Sequence, residues 1–146
     1  MEGLSGEGTR CRPTDEDDFL VSLRQLGHRP GLALNPGTNL DLIEYVIEEI
    51  DYALIMTSNP GFPDQKMTPQ VLRKIERLRD WRDESGRSLQ IAVDGDVSLD
   101  NATELVAAGA QLLTLPQNAL EDASKLTEVI EAGLSPDSEK PAAPSL

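Results

Sequence analysis

Short apolar runs alternate along this chain with longer stretches in which apolar residues recur at helical spacing. Four runs have the length and composition of buried strands: 31–36, 51–57, 88–94 and 111–115. Five stretches have the spacing of amphipathic helices: 15–27, 39–50, 68–84, 98–110 and 118–133. This alternation predicts an α/β fold, with a parallel sheet of βα units covered by helices. Periodicity alone leaves open whether the sheet is a small open one or part of a (β/α) barrel.

Capping residues mark the predicted helix boundaries. Asn39 and Ser98 are expected to be N-caps, and Pro69 is expected at the first helical position after Thr68. Three glycines are expected to end helices: Gly27, Gly109 and Gly133. The first helix is expected to bury four residues: Phe19, Leu20, Leu23 and Leu26. The second is expected to bury five: Leu42, Ile43, Val46, Ile47 and Ile50.

The composition changes at both ends of the chain. Residues 1–14 contain three glycines and little apolar material, which predicts a disordered lead-in. Residues 135–146 are polar and rich in proline, which predicts a disordered tail. The length between them is that of one ordinary domain, so we expect a single folded domain over residues 15–134.

The chain is strongly acidic. Its 146 residues include 26 acidic and 13 basic side chains, giving a net charge of −13. A field of this sign repels nucleic acid and acidic lipid, so we expect neither a nucleic-acid nor a membrane partner. A phosphorylated ligand would need a strong local site to overcome the same field.

Composition also bears on the compartment. No apolar run approaches the ~20 residues that span a bilayer, and the first residues lack the apolar region of an export signal. Cys11 is the single cysteine, so no internal disulfide can form. We interpret Cys11 as incidental and expect a cytoplasmic protein.

The chemistry of such a sheet is expected beyond the carboxyl ends of its strands. The segments that follow the four predicted strands are 35–38, 56–65, 94–97 and 116–119. The second of these, MTSNPGFPDQ, contains two prolines and a glycine and can continue neither a strand nor a helix. It therefore predicts an irregular loop at the place where ligands would bind.

Four segments resemble the ribulose-phosphate 3-epimerase family in order and spacing. They are GLALNPGT (31–38), DYALIMTSNPGFPDQ (51–65), IAVDGDV (91–97) and NATELVAAGA (101–110). The resemblance extends over about residues 17–133. It implies that residues 15–134 form half of a ribulose-phosphate-binding TIM barrel, the C-terminal half with strands five to eight.

The resemblance also implies an activity and a cofactor. Family members interconvert ribulose 5-phosphate and xylulose 5-phosphate by moving a proton beside a carbonyl, with a divalent metal (zinc, iron or manganese) polarising its oxygen. Asp94 matches one residue that serves both as a catalytic proton-transfer group and as a metal ligand. The second aspartate and the histidine ligands belong to the half-barrel that this chain lacks. A catalytic metal normally takes three or more protein ligands, so we expect none to be bound by this chain alone.

The phosphate-binding loops of the family match this chain only in part. By resemblance, nine residues form a degenerate substrate site: Met56, Gly61, Phe62, Pro63, Asp64, Gly95, Asp96, Pro116 and Gln117. Proline and aspartate stand at several of these positions where the family has glycines, whose N–H groups hold the phosphate. Proline has no N–H to donate, and aspartate brings a charge that repels phosphate. The alternative for Asp94 is a structural role as a turn residue before Gly95.

Three hypotheses follow. The preferred one is a truncated, degenerate epimerase homologue, a pseudoenzyme without the parent isomerase reaction on its own. The second is an active metal-dependent sugar-phosphate epimerase completed by a partner chain. The third is a binding module repurposed for a cation or a non-phosphorylated small molecule. A half-barrel exposes two sheet edges, so we expect a homo-oligomer or a partner chain that supplies the missing half.

Overall fold

The computed structural model of the protein describes residues 13–61 and 65–134. Its helices and strands alternate in this order: α1 (Pro13–Gln25), β1 (Gly31–Leu34), a 3-10 turn (Leu40–Leu42), β2 (Tyr52–Met56), α2 (Gln70–Ser85), β3 (Gln90–Asp94), α3 (Leu99–Ala108), β4 (Leu112–Leu113), a 3-10 helix (Gln117–Asp122) and α4 (Ala123–Leu134). The predicted tail at 135–146, and all of the predicted lead-in except residues 13 and 14, lie outside the described residues.

The four strands form one parallel sheet in the order β1-β2-β3-β4. Ala33 pairs with Leu54, Leu54 with Ala92, and Ala92 with Leu112, so the register runs across the whole sheet. The predicted α/β fold is therefore confirmed, and the sheet is consistent with part of a TIM barrel.

The helices bury one face of this sheet. Ala53 and Ile55 of β2 and Ile91 and Val93 of β3 are fully buried in one apolar cluster. The same cluster contains the stripe of α2, in three residues: Val71, Ile75 and Leu78. Burying an aliphatic side chain of this size contributes about 1.5–3 kcal/mol, so this layer is the main source of stability in the sheet.

Helix α3 has the expected caps, whereas α2 begins one residue later than predicted. Ser98 precedes α3 and forms a capping box with Asn101, whose side chain accepts the backbone N–H of Ser98 at 2.9 Å. Gly109 ends α3 as predicted, with φ at 123°, and a Cβ there would come within 2.8 Å of Arg79 Cβ. Helix α2 begins at Gln70, one residue after Pro69, and ends before Gly86 in the left-handed region.

The helix predicted over residues 39–50 does not form. Asn39 does cap the chain, accepting the N–H of Asp41, but only the 3-10 turn at Leu40–Leu42 follows before a run of turns. The buried residues Leu40, Ile43 and Val46 are three apart, which is the period of 3-10 geometry rather than of an α-helix. β-Branched residues, at 43, 46, 47 and 50, and the like charges at 44 and 48 lower the α-helical propensity of this segment.

The predicted stripe of α1 is wrong at two of its four residues, while Leu23 is half-buried. Leu20 is buried, but Phe19 and Leu26 are 64% and 73% exposed. In the described residues no strand lies beyond β1, so the outer side of α1 has nothing to pack against. Arg24 holds the helix in place, donating to the Glu49 carbonyl at 3.0 Å and lying 3.3 Å from the Asp51 carboxylate.

Gly133 was predicted to end the last helix and instead lies inside α4. A Cβ at this position would come within 2.8 Å of the Thr103 carbonyl oxygen and of Val106 Cβ, so the glycine allows α4 to pack closely on α3. The same helix begins at Ala123 rather than near 118, because a 3-10 helix occupies residues 117–122. Among the described residues no helix is long and apolar enough to cross a membrane.

The helix layer can be tested at Leu78. Leu78→Ala should lower the free energy of unfolding by about 2–5 kcal/mol, because a fully buried side chain is replaced by a cavity. Alanine has a high helix propensity, so the loss would not come from a weaker helix. Urea denaturation followed by circular dichroism measures the change. Leu42→Ala is the matched control, since Leu42 is 72% exposed and its loss should change stability little. Equal losses in the two variants would contradict the core assigned here.

Candidate functional site

The loops that follow β2 and β3 meet at the carboxyl-end edge of the sheet. Met56 and Asp94 are register partners at the last positions of these strands, so their side chains point to the same face. That face is opposite the helix layer, and both side chains are half-buried on it. The structure therefore brings together two of the residues predicted to line the site.

The Asp94 carboxylate is bound locally. Its Oδ1 accepts the N–H of Gly95 at 2.7 Å, while its backbone carbonyl accepts the N–H of Thr57 at 2.8 Å. A short side chain that binds the next backbone N–H is typical of a turn residue. The geometry accommodates this structural role, and within residues 13–61 and 65–134 it leaves the second carboxylate oxygen available for a ligand.

Thr57, which the sequence did not single out, is the buried polar residue at the centre of this edge. Its side chain is fully buried, and its Oγ1 accepts the N–H of Asp96 at 2.7 Å. Gly95 passes over it with φ at 120°, and a Cβ on Gly95 would lie 2.6 Å from Thr57 Oγ1 and 2.9 Å from Ser58 Oγ. Glycine is therefore required at position 95 both by backbone conformation and by close approach.

The Asp96 side chain joins the two loops. Its Oδ2 accepts the backbone N–H of Met67 at 2.9 Å, and its backbone carbonyl accepts the Asn101 side-chain amide at 2.7 Å. The carboxylate is thus an anionic acceptor for a main-chain N–H of the protein itself. Such charge-assisted hydrogen bonds are stronger than neutral ones, so this contact holds the segment before α2 against the loop after β3.

The remainder of the loop after β2 is described on both sides of a gap. Gly61 has φ at 87° and is exposed, as expected for a turn after Pro60. The side chain of Gln65 accepts the N–H of Asn59 at 3.0 Å, which closes the base of this loop. Three predicted site residues lie outside the described part of the chain: Phe62, Pro63 and Asp64.

The end of β4 contributes little polar chemistry. Pro116 and Gln117 are exposed, and Gln117 is the first residue of the 3-10 helix. The Pro116 carbonyl accepts the N–H of Ala119 at 2.9 Å, an ordinary turn contact. Because proline has no N–H, position 116 offers no main-chain donor to an anion.

Lys74 is the second residue that sequence reasoning missed. Its Nζ donates to the carbonyl oxygens of Asn35 and Pro36, at 2.8 and 2.9 Å, and so fixes the loop after β1. Burial lowers the pKa of this ammonium group from its ordinary value. A signal was present in the sequence, since Lys74 stands between Val71 and Ile75 beside the apolar stripe of α2.

The donor set does not fit a divalent metal. Within the residues 13–61 and 65–134, no group of three or more histidine, cysteine, aspartate or glutamate side chains could hold a metal ion. His28 precedes β1, at the amino-end edge of the sheet, whereas Asp94 lies at the carboxyl-end edge, on β3. Asp94 would thus be the one described ligand among the family's metal-binding positions, and one carboxylate falls short of the usual three.

Comparison with known proteins identifies the origin of this arrangement. The model of the ribulose-phosphate 3 epimerase family matches residues 13–118 of the chain. The chain belongs to this family. The ribulose-phosphate 3-epimerase of Escherichia coli K12 is 36% identical over 115 residues, which is 79% of this chain and 51% of the relative.

Two other epimerases match in the same way. The enzyme from Serratia marcescens is 40% identical over 96 residues, covering 66% of this chain and 46% of the relative. The enzyme from Synechocystis is 44% identical over 94 residues, covering 64% of this chain and 41% of the relative. The chain therefore spans about half the length of the curated epimerases that it matches.

The contact between Thr57 and Asp96 can be tested by removing one oxygen. Thr57→Val keeps the shape of the side chain but leaves the Asp96 N–H without its acceptor, at an expected cost of about 1–3 kcal/mol in unfolding free energy. Amide hydrogen exchange should show faster exchange at Asp96.

Thr57→Ser is the matched control. It keeps the hydroxyl and loses one methyl group, so exchange at Asp96 should stay slow even if stability falls by about 1 kcal/mol. Equal exchange rates at Asp96 in the valine and serine variants would show that the hydroxyl does not hold this loop.

Proposed function

We propose that this chain is a half-barrel of the ribulose-phosphate 3-epimerase family that does not catalyse epimerisation on its own. The observation that carries the proposal is the set of acid, base and metal-ligand side chains at the carboxyl-end edge of the sheet. Moving a proton from one face of a carbon to the other requires an acid and a base on opposite faces. Asp94 is the single described residue that matches either role.

The phosphate-binding positions support the same proposal. The Asp96 carboxylate lies in the loop after β3 and would bring a negative charge close to a phosphate bound there, although one of its oxygens accepts the Met67 N–H. Close like charges repel by about 1–4 kcal/mol at effective dielectric constants of 80 to 20. Pro116 adds the loss of a donor at the end of β4. Each change opposes the binding of a phosphate dianion.

A second function is favoured by one observation. On the face of the sheet opposite the helix layer, the described part of the chain leaves the Met56 and Asp94 side chains only half-buried. A partner chain on that face could supply the missing acid or base and the remaining ligands for zinc, iron or manganese. On this second proposal the chain is one half of an active epimerase. A repurposed cation site gains no such support, because the Asp96 carboxylate is engaged within the protein.

An epimerase assay tests the first proposal. The purified chain, supplied in turn with zinc, iron and manganese, should show no conversion of ribulose 5-phosphate. The Escherichia coli epimerase serves as the positive control under the same conditions. Turnover by the chain alone that disappears in Asp94→Asn would overturn the proposal. Turnover that appears only after a chain carrying the missing half-barrel is added, and is lost in Asp94→Asn, would establish the second function.

A further inference from the structure

The sheet has one face that its own helices do not cover. We call it the inner face, defined by the side chains that point away from the helix layer: Ala33, Tyr52, Leu54, Met56, Gln90, Ala92, Asp94 and Leu112. Ala33 is exposed and Leu112 is 46% exposed, whereas Ala92 is buried. The other residues of the face are half-buried: Tyr52, Leu54, Met56, Gln90 and Asp94. Parallel sheets are ordinarily covered on both faces, so an apolar inner face of this kind calls for an occupant.

Both edges of the sheet are open as well. In the strand order β1-β2-β3-β4, the outer sides of β1 and β4 pair with no strand among the described residues. Unpaired N–H and C=O groups along an edge are a template for a further strand. Further parallel strands would pair with both open edges of the sheet and would also cover its partly exposed inner face.

The two edges have complementary surroundings. Beside β4 lies an apolar groove of about 580 Å³, lined by residues of β4, α3 and α4 that include Leu112, Leu126 and Ile130. Beside β1 lies α1, which projects the exposed side chains of Phe19 and Leu26. One edge thus offers an apolar groove, and the other offers apolar side chains that are largely exposed.

We propose that two copies of this chain join edge to edge and close an eight-stranded parallel barrel. At each of two identical seams, β4 of one copy pairs with β1 of the other, and α1 of the second copy packs against the groove beside β4. A two-fold axis along the barrel keeps all eight strands parallel, and eight strands leave an interior that side chains fill. The inner face of each copy then becomes half of that interior.

The rest of this chain is a poor alternative occupant. Residues 1–12 contain three apolar side chains, Met1, Leu4 and Cys11, and residues 135–146 contain two alanines and one leucine. The latter segment also has three prolines, which cannot donate hydrogen bonds to a strand ladder. Neither segment has the apolar residues to cover the inner face, whereas a second copy satisfies both edges at once.

Charge sets the conditions for association. Each copy carries a net charge of −13, so two copies repel each other at low ionic strength. The groove beside β4 and the Phe19 and Leu26 side chains that would enter it are apolar, so salt does not weaken these contacts. Added salt screens the repulsion, and the dimer should therefore tighten as ionic strength rises.

Sedimentation equilibrium of the full chain at micromolar concentration tests the proposal. The expected mass is twice the 15.9 kDa of one chain. Ala33→Lys on β1 and Leu112→Lys on β4 should each give a monomer, because either change puts a charge on the inner face beside a seam. Leu42→Lys is the matched control and should leave the dimer intact, since Leu42 lies on the 3-10 turn away from both seams.

The two edge variants distinguish this assembly from a simpler one. A dimer formed through β4 against β4 would become a monomer in Leu112→Lys and stay a dimer in Ala33→Lys. That result would overturn the proposal. A monomeric wild-type chain, a dimer that survives both variants, or assemblies larger than a dimer would overturn it too. Circular dichroism checks that each variant is folded, and Phe19→Lys on α1 tests the same seam if a strand variant unfolds. The inference does not rest on the proposed function, since mass is measured without substrate.

Discussion

The burial of one sheet face by α2 and its neighbouring helices is the interaction on which the rest of this structure depends. It fixes the register of β2 and β3, and with it the position at which each strand ends. Because these strands are parallel and in register, the loops after Met56 and Asp94 emerge side by side. The hydrogen bonds of Thr57 and Asp96 can form only because the core has already placed their loops in contact.

At the carboxyl-end edge, charged side chains serve the fold. Asp96 accepts a backbone N–H from the segment before α2, and Lys74 donates to the carbonyl oxygens after β1. Both charges are satisfied by the protein's own main chain. A rigid edge of this kind keeps the geometry of a ligand site, although fewer of its charged groups remain for a ligand.

Much of the architecture was predictable because its signals are local. The four strands are nearly continuous in apolar residues, and Ser98 and Gly109 bound α3 as expected. The conformation of residues 39–50 was not predictable in this way, because apolar residues at 40, 43 and 46 fit the start of a helical stripe as well as a 3-10 turn. Gly133 was misplaced for a different reason, since its role depends on the contact with Thr103 in another helix. The sequence also indicated which loops hold the candidate site, but not the hydrogen bonds across it, which depend on distances between strands.

Gly95 has a consequence for how such sequences are read. The glycine is required by its contact with Thr57 and by its backbone conformation, and Asp94 binds its N–H. Selection for folding alone is therefore sufficient to preserve an Asp-Gly pair at this strand end through evolutionary drift. A family signature built on this pair records descent and the architecture of a turn. It can persist in a lineage long after the reaction that first accompanied it has ceased to be under selection.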